Sequence, residues 1–257
     1  MQGSQVGTPC LQLEKVSRHF GGLKAVDDVT LSVQPGARHA VIGPNGAGKT
    51  TLFNVISGEF PPTSGTIVLN GTDISKRTPH QRAALGISRT FQITRLFPDL
   101  TVTENALLAC AALDRRKFAM LRPLSSYPEF TERASNLLNQ FELSSVANER
   151  ARHISYGARR RLDVALSLAG RPLLLLLDEP MAGLSTPERV AMRGLLEQLD
   201  PSIAVLLIEH DMDVAFSFAD RITVLHQGRV LADGTRDAVS ANDLVQQAYL
   251  GAVGSSQ

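Results

Sequence analysis

Nine residues constrain this chain more than any others: GPNGAGKTT, at positions 43–51. They match the spacing G-x-x-x-x-G-K-[ST] and directly follow the strand-like run HAVI. The glycines let backbone N–H groups converge on phosphate oxygens, and a helix starting there adds its positive end. In that reading Gly43, Pro44, Asn45, Gly46, Ala47, Gly48 and Thr51 shape a cradle, Lys49 reaches the outer phosphates, and the Thr50 hydroxyl can ligate magnesium. The alternative is a glycine-rich turn that happens to carry a surface lysine.

The surrounding pattern predicts an α/β chain. At the front, LQLEKV, VTLSV and HAVIG read as short strands, and TIVLNGTDI as a hairpin whose Asn70 and Gly71 supply positive φ angles. From about Thr101 to Ala169 the spacing turns helical, as in TENALLACAAL and EFTERASNLLNQFEL, with interruptions at Pro123 and Pro128. Beyond this insertion, LLLLLDEP and IAVLLIEHD are unbroken apolar runs of the kind found in parallel strands buried on both faces. A capping box from Ser185 to Glu188, with Pro187 early in the segment, starts a crossover helix between them. RITVLHQGRVLADG predicts a strand pair, and SANDLVQQAYL a last helix.

Bulk properties narrow the function. With 257 residues and 43% hydrophobic content, the chain can bury roughly three quarters of its unfolded surface without disulfide or metal staples. A net charge of +1 argues against a protein that coats nucleic acid. Cys10 and Cys110 fit no metal-ligand spacing and read as small packing residues. No secretory signal is visible, and the longest apolar run, residues 106–113, falls far short of the roughly 20 residues a membrane helix needs. A soluble, cytoplasmic chain is expected.

Two further stretches look like parts of a site. Asp178 should end a buried strand, where a doubly wound sheet opens its ligand crevice, and can hold a magnesium shell. Glu179 then points elsewhere and can orient or deprotonate an attacking water; capping or a salt bridge is the plainer use of such a pair. In ISYGARRRLDVALS, Ser155 and Gly157 offer a hydroxyl and bare N–H groups at a helix start, which is half of an anion site; Ser155 can equally serve as an N-cap. Arg159, Arg160 and Arg161 cannot all face one groove, so a solvated or subunit-facing surface is expected rather than nucleic-acid binding, with Asp163 pairing to Arg159.

In order, these motifs resemble those of the nucleotide-binding subunits of ABC transporters, over roughly residues 7–251. GPNGAGKTT resembles the Walker A motif, TFQ with Gln92 the Q-loop, ISYG the LSGG-type signature, LLLLLDEP Walker B, AGLS the D-loop, and IEHD with His210 the switch histidine. Phe20 stands where the family stacks an aromatic on adenine. The resemblance implies a P-loop NTPase fold: a RecA-like mixed sheet core (7–92 and 171–251) with an antiparallel β front end, an inserted helical subdomain (93–170), and a tail (252–257). It implies ATP and Mg2+, with Thr50, Gln92 and Asp178 at the metal and Glu179, His210 and Gln92 in catalysis. It also implies a head-to-tail pair of ATPase subunits, in which Ser155 and Gly157 of one cover the nucleotide of the other.

SRTFQITRLFPDLTVTENALL, the long insertion and the ending LVQQAYLG are similar to ATPases of branched-chain amino acid uptake. Urea-type importers and lipopolysaccharide-export ATPases share several of these spellings. The implied partners are two transmembrane permease subunits, a second ATPase subunit, either a related chain or a second copy, and indirectly a solute-binding protein. The implied location is peripheral, on the inner face of the membrane. Leu96 and Phe97 suit a docking surface for a membrane subunit, or ordinary packing. Ala158 replaces the common signature Gln and Ser185 the common D-loop Asp, so communication between paired sites is what these departures touch. Outside transport, a ribosome- or DNA-directed ABC ATPase and a soluble P-loop kinase or switch are the competing readings.

Overall fold

A computed structural model describes residues 8–90, 96–112, 114 and 123–253. In chain order the elements are β1 (Leu11–Phe20), β2 (Leu23–Val33), β3 (Arg38–Ile42), α1 (Lys49–Ser57), β4 (Ser64–Leu69), β5 (Thr72–Asp73), α2 (Pro79–Ala84), β6 (Ile87–Arg89), α3 (Val102–Ala111), α4 (Pro128–Gln140), α5 (Tyr156–Leu168), β7 (Leu174–Asp178), α6 (Thr186–Glu197), β8 (Ala204–Ile208), α7 (Met212–Phe218), β9 (Arg221–His226), β10 (Arg229–Gly234), α8 (Arg236–Ser240) and α9 (Asp243–Val253). They pack as two compact units, Met1–Ile87 with Asp200–Gln257 and Ser88–Leu199, each through its described residues.

In the first unit the front-end strands form an antiparallel sheet of order β2-β1-β4-β5. Its β4–β5 turn is the one the sequence predicts: Asn70 and Gly71 have φ of 44° and 76°, and Leu69 faces Thr72. A mixed group, β10-β9-β3-β8, lies in the other sheet. There β3 runs parallel to β8 and β9, and β10 turns back antiparallel on β9. All five residues of β8 are buried, as an apolar run without alternation requires when both faces are covered.

One side chain the sequence did not flag supports α1. Arg82, 1% exposed, donates from Nη1 to Val55 O (2.6 Å) and Ile56 O (2.8 Å), from Nη2 to Ser75 O (3.1 Å) and from Nε to Arg77 O (3.0 Å). It therefore satisfies carbonyls at the C-terminal end of the helix whose other end follows the glycine loop, where a cation also complements the helix dipole. Burial brings its pKa down to about 10, with Asp73 opposing the shift.

The second unit is mainly helical. Phe130, Ala134 and Leu138 recur every four residues along α4 and make its buried stripe. Arg133 donates to Ala169 O and, at 3.4 Å, to Cys110 O, joining α4 to the ends of α5 and α3. Thr101 and Glu104 cap α3 reciprocally: Glu104 N–H donates to Thr101 Oγ1 (3.1 Å), and Thr101 N–H to Glu104 Oε2 (2.7 Å). The strand β7 is buried throughout, with β6 beside it. Among the described residues, no helix is long and apolar enough to cross a membrane. Both cysteines are buried and unbridged.

Candidate active site

The first unit carries the glycine loop. β3 ends at Ile42, and the chain passes through left-handed backbone at Gly46 (φ 78°) and Gly48 (φ 101°) before α1 begins at Lys49. A Cβ at Gly43 would lie 2.2 Å from Leu225 O, and one at Gly48 2.3 Å from Ala25 O, so neither position admits a side chain. Ala47 N–H donates to Pro44 O (3.2 Å), while no protein acceptor among the described residues takes the N–H of Asn45, Gly46 or Gly48. Such unengaged N–H donors at a helix start are the groups an anion nest is made from. Lys49, 7% exposed, folds over it and donates to Gly43 O (2.6 Å) and Pro44 O (3.1 Å). Thr50 is exposed on the first turn and Thr51 half-buried behind it.

Phe20, His210 and Tyr249 lie in the same unit. Phe20 ends β1 with 40% of its surface open; its ring meets Phe60 edge-on (5.4 Å, 83°), and the Arg18 guanidinium stands 4.6 Å from its centroid. β8 runs beside β3 with Ile208 opposite Val41, so His210 emerges at the sheet end where the glycine loop starts. Its Nδ1 is 4.0 Å from the carboxylate of buried Glu209. On α9, burial pushes the Tyr249 hydroxyl up to about 12, with the Gly43 backbone opposing that rise.

The second unit carries the acidic pair and the signature. Asp178, 2% exposed, closes β7 and accepts from Arg89 Nη2 at 2.9 Å. One backbone bond and one side-chain bond hold Thr90 against β7: Thr90 N–H donates to Leu176 O (2.9 Å) and Asp178 N–H to Thr90 Oγ1 (3.2 Å). Glu179 follows at φ 47°, a left-handed conformation uncommon outside glycine, which turns its half-buried side chain away from the strand direction. Gln92 lies outside the described residues.

Ser155 is an N-cap: its Oγ accepts from Ala158 N–H at 3.2 Å at the head of α5. Gly157 is buried, and a Cβ there would come within 2.2 Å of Glu188 Oε1. That carboxylate also receives the N–H and hydroxyl of Ser185 (2.9 and 2.6 Å). Tyr156, between the two signature residues, donates its hydroxyl to Ala182 O (3.0 Å) and accepts from Arg160 Nε (3.1 Å). The signature and the AGLS stretch are thus clamped together by Tyr156 and Glu188, which the motif reading left unused. The expected Arg159–Asp163 pair does not form. Arg159 Nε turns back to Ile154 O (3.2 Å), and burial pushes the Asp163 carboxyl up to about 6, with Arg160 opposing.

Chemically, the first unit offers backbone N–H donors and a buried ammonium at a helix start, the groups a phosphate would need, and the second a buried carboxylate followed by a half-buried one. Each unit thus holds an oxygen donor of the kind magnesium takes, the exposed Thr50 hydroxyl in the first and the buried Asp178 carboxylate in the second.

Comparison with known proteins agrees. The ABC transporter family model matches residues 26–182. The high-affinity branched-chain amino acid transport ATP-binding protein BraF of Pseudomonas aeruginosa is 40% identical over 252 residues, covering 95% of this chain and 98% of the relative. LivG of Escherichia coli K12, described in the same words, is 39% identical with the same coverage. A crystal structure of the ADP conformation of an ATP-binding cassette of an ABC transporter aligns at a TM-score of 0.84, with 28% identity over 95% of this chain and 99% of that one. A dimeric cassette in a post-hydrolysis state, bound to ADP and Pi, aligns at 0.76, with 27% identity over 88% and 98%. With the family model covering more than half of its length and relatives matched over nearly all of it, this chain belongs to the ABC transporter family, as an ATP-binding subunit and an ATPase.

Proposed function

We propose that the chain powers an importer of branched-chain or chemically related amino acids, with ATP and Mg2+ as its working ligands. The observation that carries the solute class is the identity to BraF and LivG across 95% of the chain. The nucleotide is assigned to the residues 43–51. There the free N–H groups of Asn45, Gly46 and Gly48 receive phosphate oxygens, and Lys49 exchanges its bonds to Gly43 O and Pro44 O for the outer phosphates. Phe20 offers its open face to the adenine, beside Phe60 and Arg18.

Thr50, Asp178 and Gln92 would hold magnesium, which would supply neutralisation of the phosphate charge. Glu179 accepts the proton of the attacking water, and His210 holds a hydrogen bond to the terminal phosphate. Ser155 and Gly157 of a second ATPase subunit, related or identical, cover the nucleotide. Closing and opening of that pair drives two permease subunits on the inner face of the membrane, which receive solute from a binding protein. The helical segment 93–170, with exposed Phe97, is the part assigned to permease contact.

Glu179→Gln tests the chemistry: steady-state hydrolysis should fall by about 10²- to 10⁴-fold while ATP affinity is kept, as loss of a general base predicts. Undiminished turnover removes Glu179 from that role. For the partners, affinity capture from detergent-solubilised membranes followed by mass spectrometry should return two integral membrane chains. Recovery of ribosomes or DNA in their place rejects transport.

A further inference from the structure

The turn between β9 and β10 makes a contact that neither hairpin formation nor the family motifs require. Gln227 and Gly228 both have positive φ (48° and 79°), and His226 pairs with Arg229, the geometry of a two-residue turn of the I′ kind. In such a turn the two central residues owe no hydrogen bond to the strand ladder. Here both main-chain groups of Gly228 are used. Its N–H donates to Ala47 O (2.9 Å) inside the glycine loop, and its carbonyl accepts from Asp27 N–H (2.8 Å) on β2.

The next side chain reinforces the link, with Arg229 placing Nε and Nη2 on Asp27 Oδ2 at 2.9 and 2.6 Å. A Cβ at Gly228 would stand 2.9 Å from Lys24 O and 3.1 Å from Ala25 O, so the approach to β2 is possible only for glycine. β2 also backs the glycine loop directly, because Ala25 O lies where a Gly48 side chain would be.

Peptide planarity carries the consequence into the cradle. In a trans peptide, C=O and N–H point in opposite directions. Ala47 O is drawn to the hairpin, so the N–H of the same peptide unit, which belongs to Gly48, is aimed away from it, and no protein acceptor among the described residues takes it. We infer that Gly228 is a positioning residue for nucleotide binding: its N–H orients the Ala47–Gly48 peptide so that the Gly48 N–H is presented to a phosphate, and the Arg229–Asp27 pair holds the hairpin in place to do so. This rests on the nucleotide reading of the 43–51 loop, which the wild-type protein's own ATP affinity tests separately.

The test compares Gly228→Ala and Arg229→Gln with wild type by thermal melting and by titration with a fluorescent ATP analogue, with tripolyphosphate as competitor. Folded Gly228→Ala should bind ATP and tripolyphosphate about tenfold more weakly, because a side chain there strains or displaces the turn. In a ¹⁵N-labelled sample the Gly48 amide resonance should shift. Arg229→Gln leaves an exposed position folded and should weaken both ligands about two- to fivefold at low salt, an effect that disappears at about 1 M salt. A purely structural hairpin would lower the melting temperature and leave the affinity of the folded fraction unchanged. Wild-type affinity for both ligands in folded Gly228→Ala overturns the proposal. If that variant does not fold, wild-type affinity in Arg229→Gln at low salt overturns it.

Discussion

The glycine loop and the signature segment both present a helix start, yet they are built from opposite materials. Around Gly43–Lys49 most contacts are main chain: Ala47 O to Gly228, Ala47 N–H to Pro44, Leu225 O and Ala25 O closing on the glycines, with the Lys49 side chain folded back onto Gly43 O. Around Ser155–Gly157 the order comes from side chains: Ser155 Oγ on Ala158, Tyr156 on Ala182, Arg160 on Tyr156, and Glu188 over Gly157. A main-chain cradle has rigid geometry and tolerates few substitutions, since its donors cannot be moved without moving the fold. A side-chain clamp can be loosened one bond at a time. That suits the role proposed for this surface, covering the nucleotide of a second subunit and releasing it again.

The contrast can be broken at several points. In the loop, Lys49→Ala removes the buried ammonium and should cost about 10- to 100-fold in ATP affinity, the weight of a charge-assisted hydrogen bond, measured by calorimetric titration. Normal affinity would mean the main chain alone binds phosphate. In the signature helix, Asp163 is more protonated when folded than when unfolded, since its carboxyl is raised from 3.8 to about 6. The stability this gives is present below about pH 4 and is lost as pH rises through 6. Asp163→Asn should therefore gain about 3 kcal/mol over wild type at pH 8 and nothing near pH 3.5, read from denaturant melts at the two pH values. Equal gains at both would show that burial of the charge is not the cause.

Smaller effects probe the clamp itself. Gly157→Ala drives a methyl group into the Glu188 carboxylate and should lose about 1–2 kcal/mol. Adding Glu188→Ala should return part of that loss, so strict additivity of the two changes would refute the contact. Tyr156→Phe removes a hydroxyl that both donates and accepts, and should cost about 1 kcal/mol in thermal stability. Its effect on the Kd for ATP in isolated subunits should be negligible, which separates the clamp from the cradle.

Much of the fold was legible because it depends on local chemistry. Asn70–Gly71, the Ser185–Glu188 box and the unbroken run of β8 each carry their conformation within a few residues. The site was legible only as motifs. Arg82 supports α1 from 26 residues away in sequence, Arg89 reaches Asp178 across 89, and neither has a local pattern that names its partner. The Arg159–Asp163 expectation failed for a related reason. Helical i,i+4 spacing permits a pair, but Arg159 found a backbone carbonyl, and half-buried Asp163 feels the charge of Arg160 instead.

By itself the sequence determined which backbone shapes are reachable: where glycine allows positive φ, where apolar runs must be covered on both faces, and where a hydroxyl or carboxylate can cap a helix. Only the tertiary structure decided what those shapes are used against. It brought Gly228 to Ala47, Glu188 to Gly157 and Arg89 to Asp178. The physical reason is that steric limits on φ and ψ act within a residue or two, whereas the partner of a hydrogen bond or an ion pair is set by whichever distant group the folded chain leaves within about 3 Å.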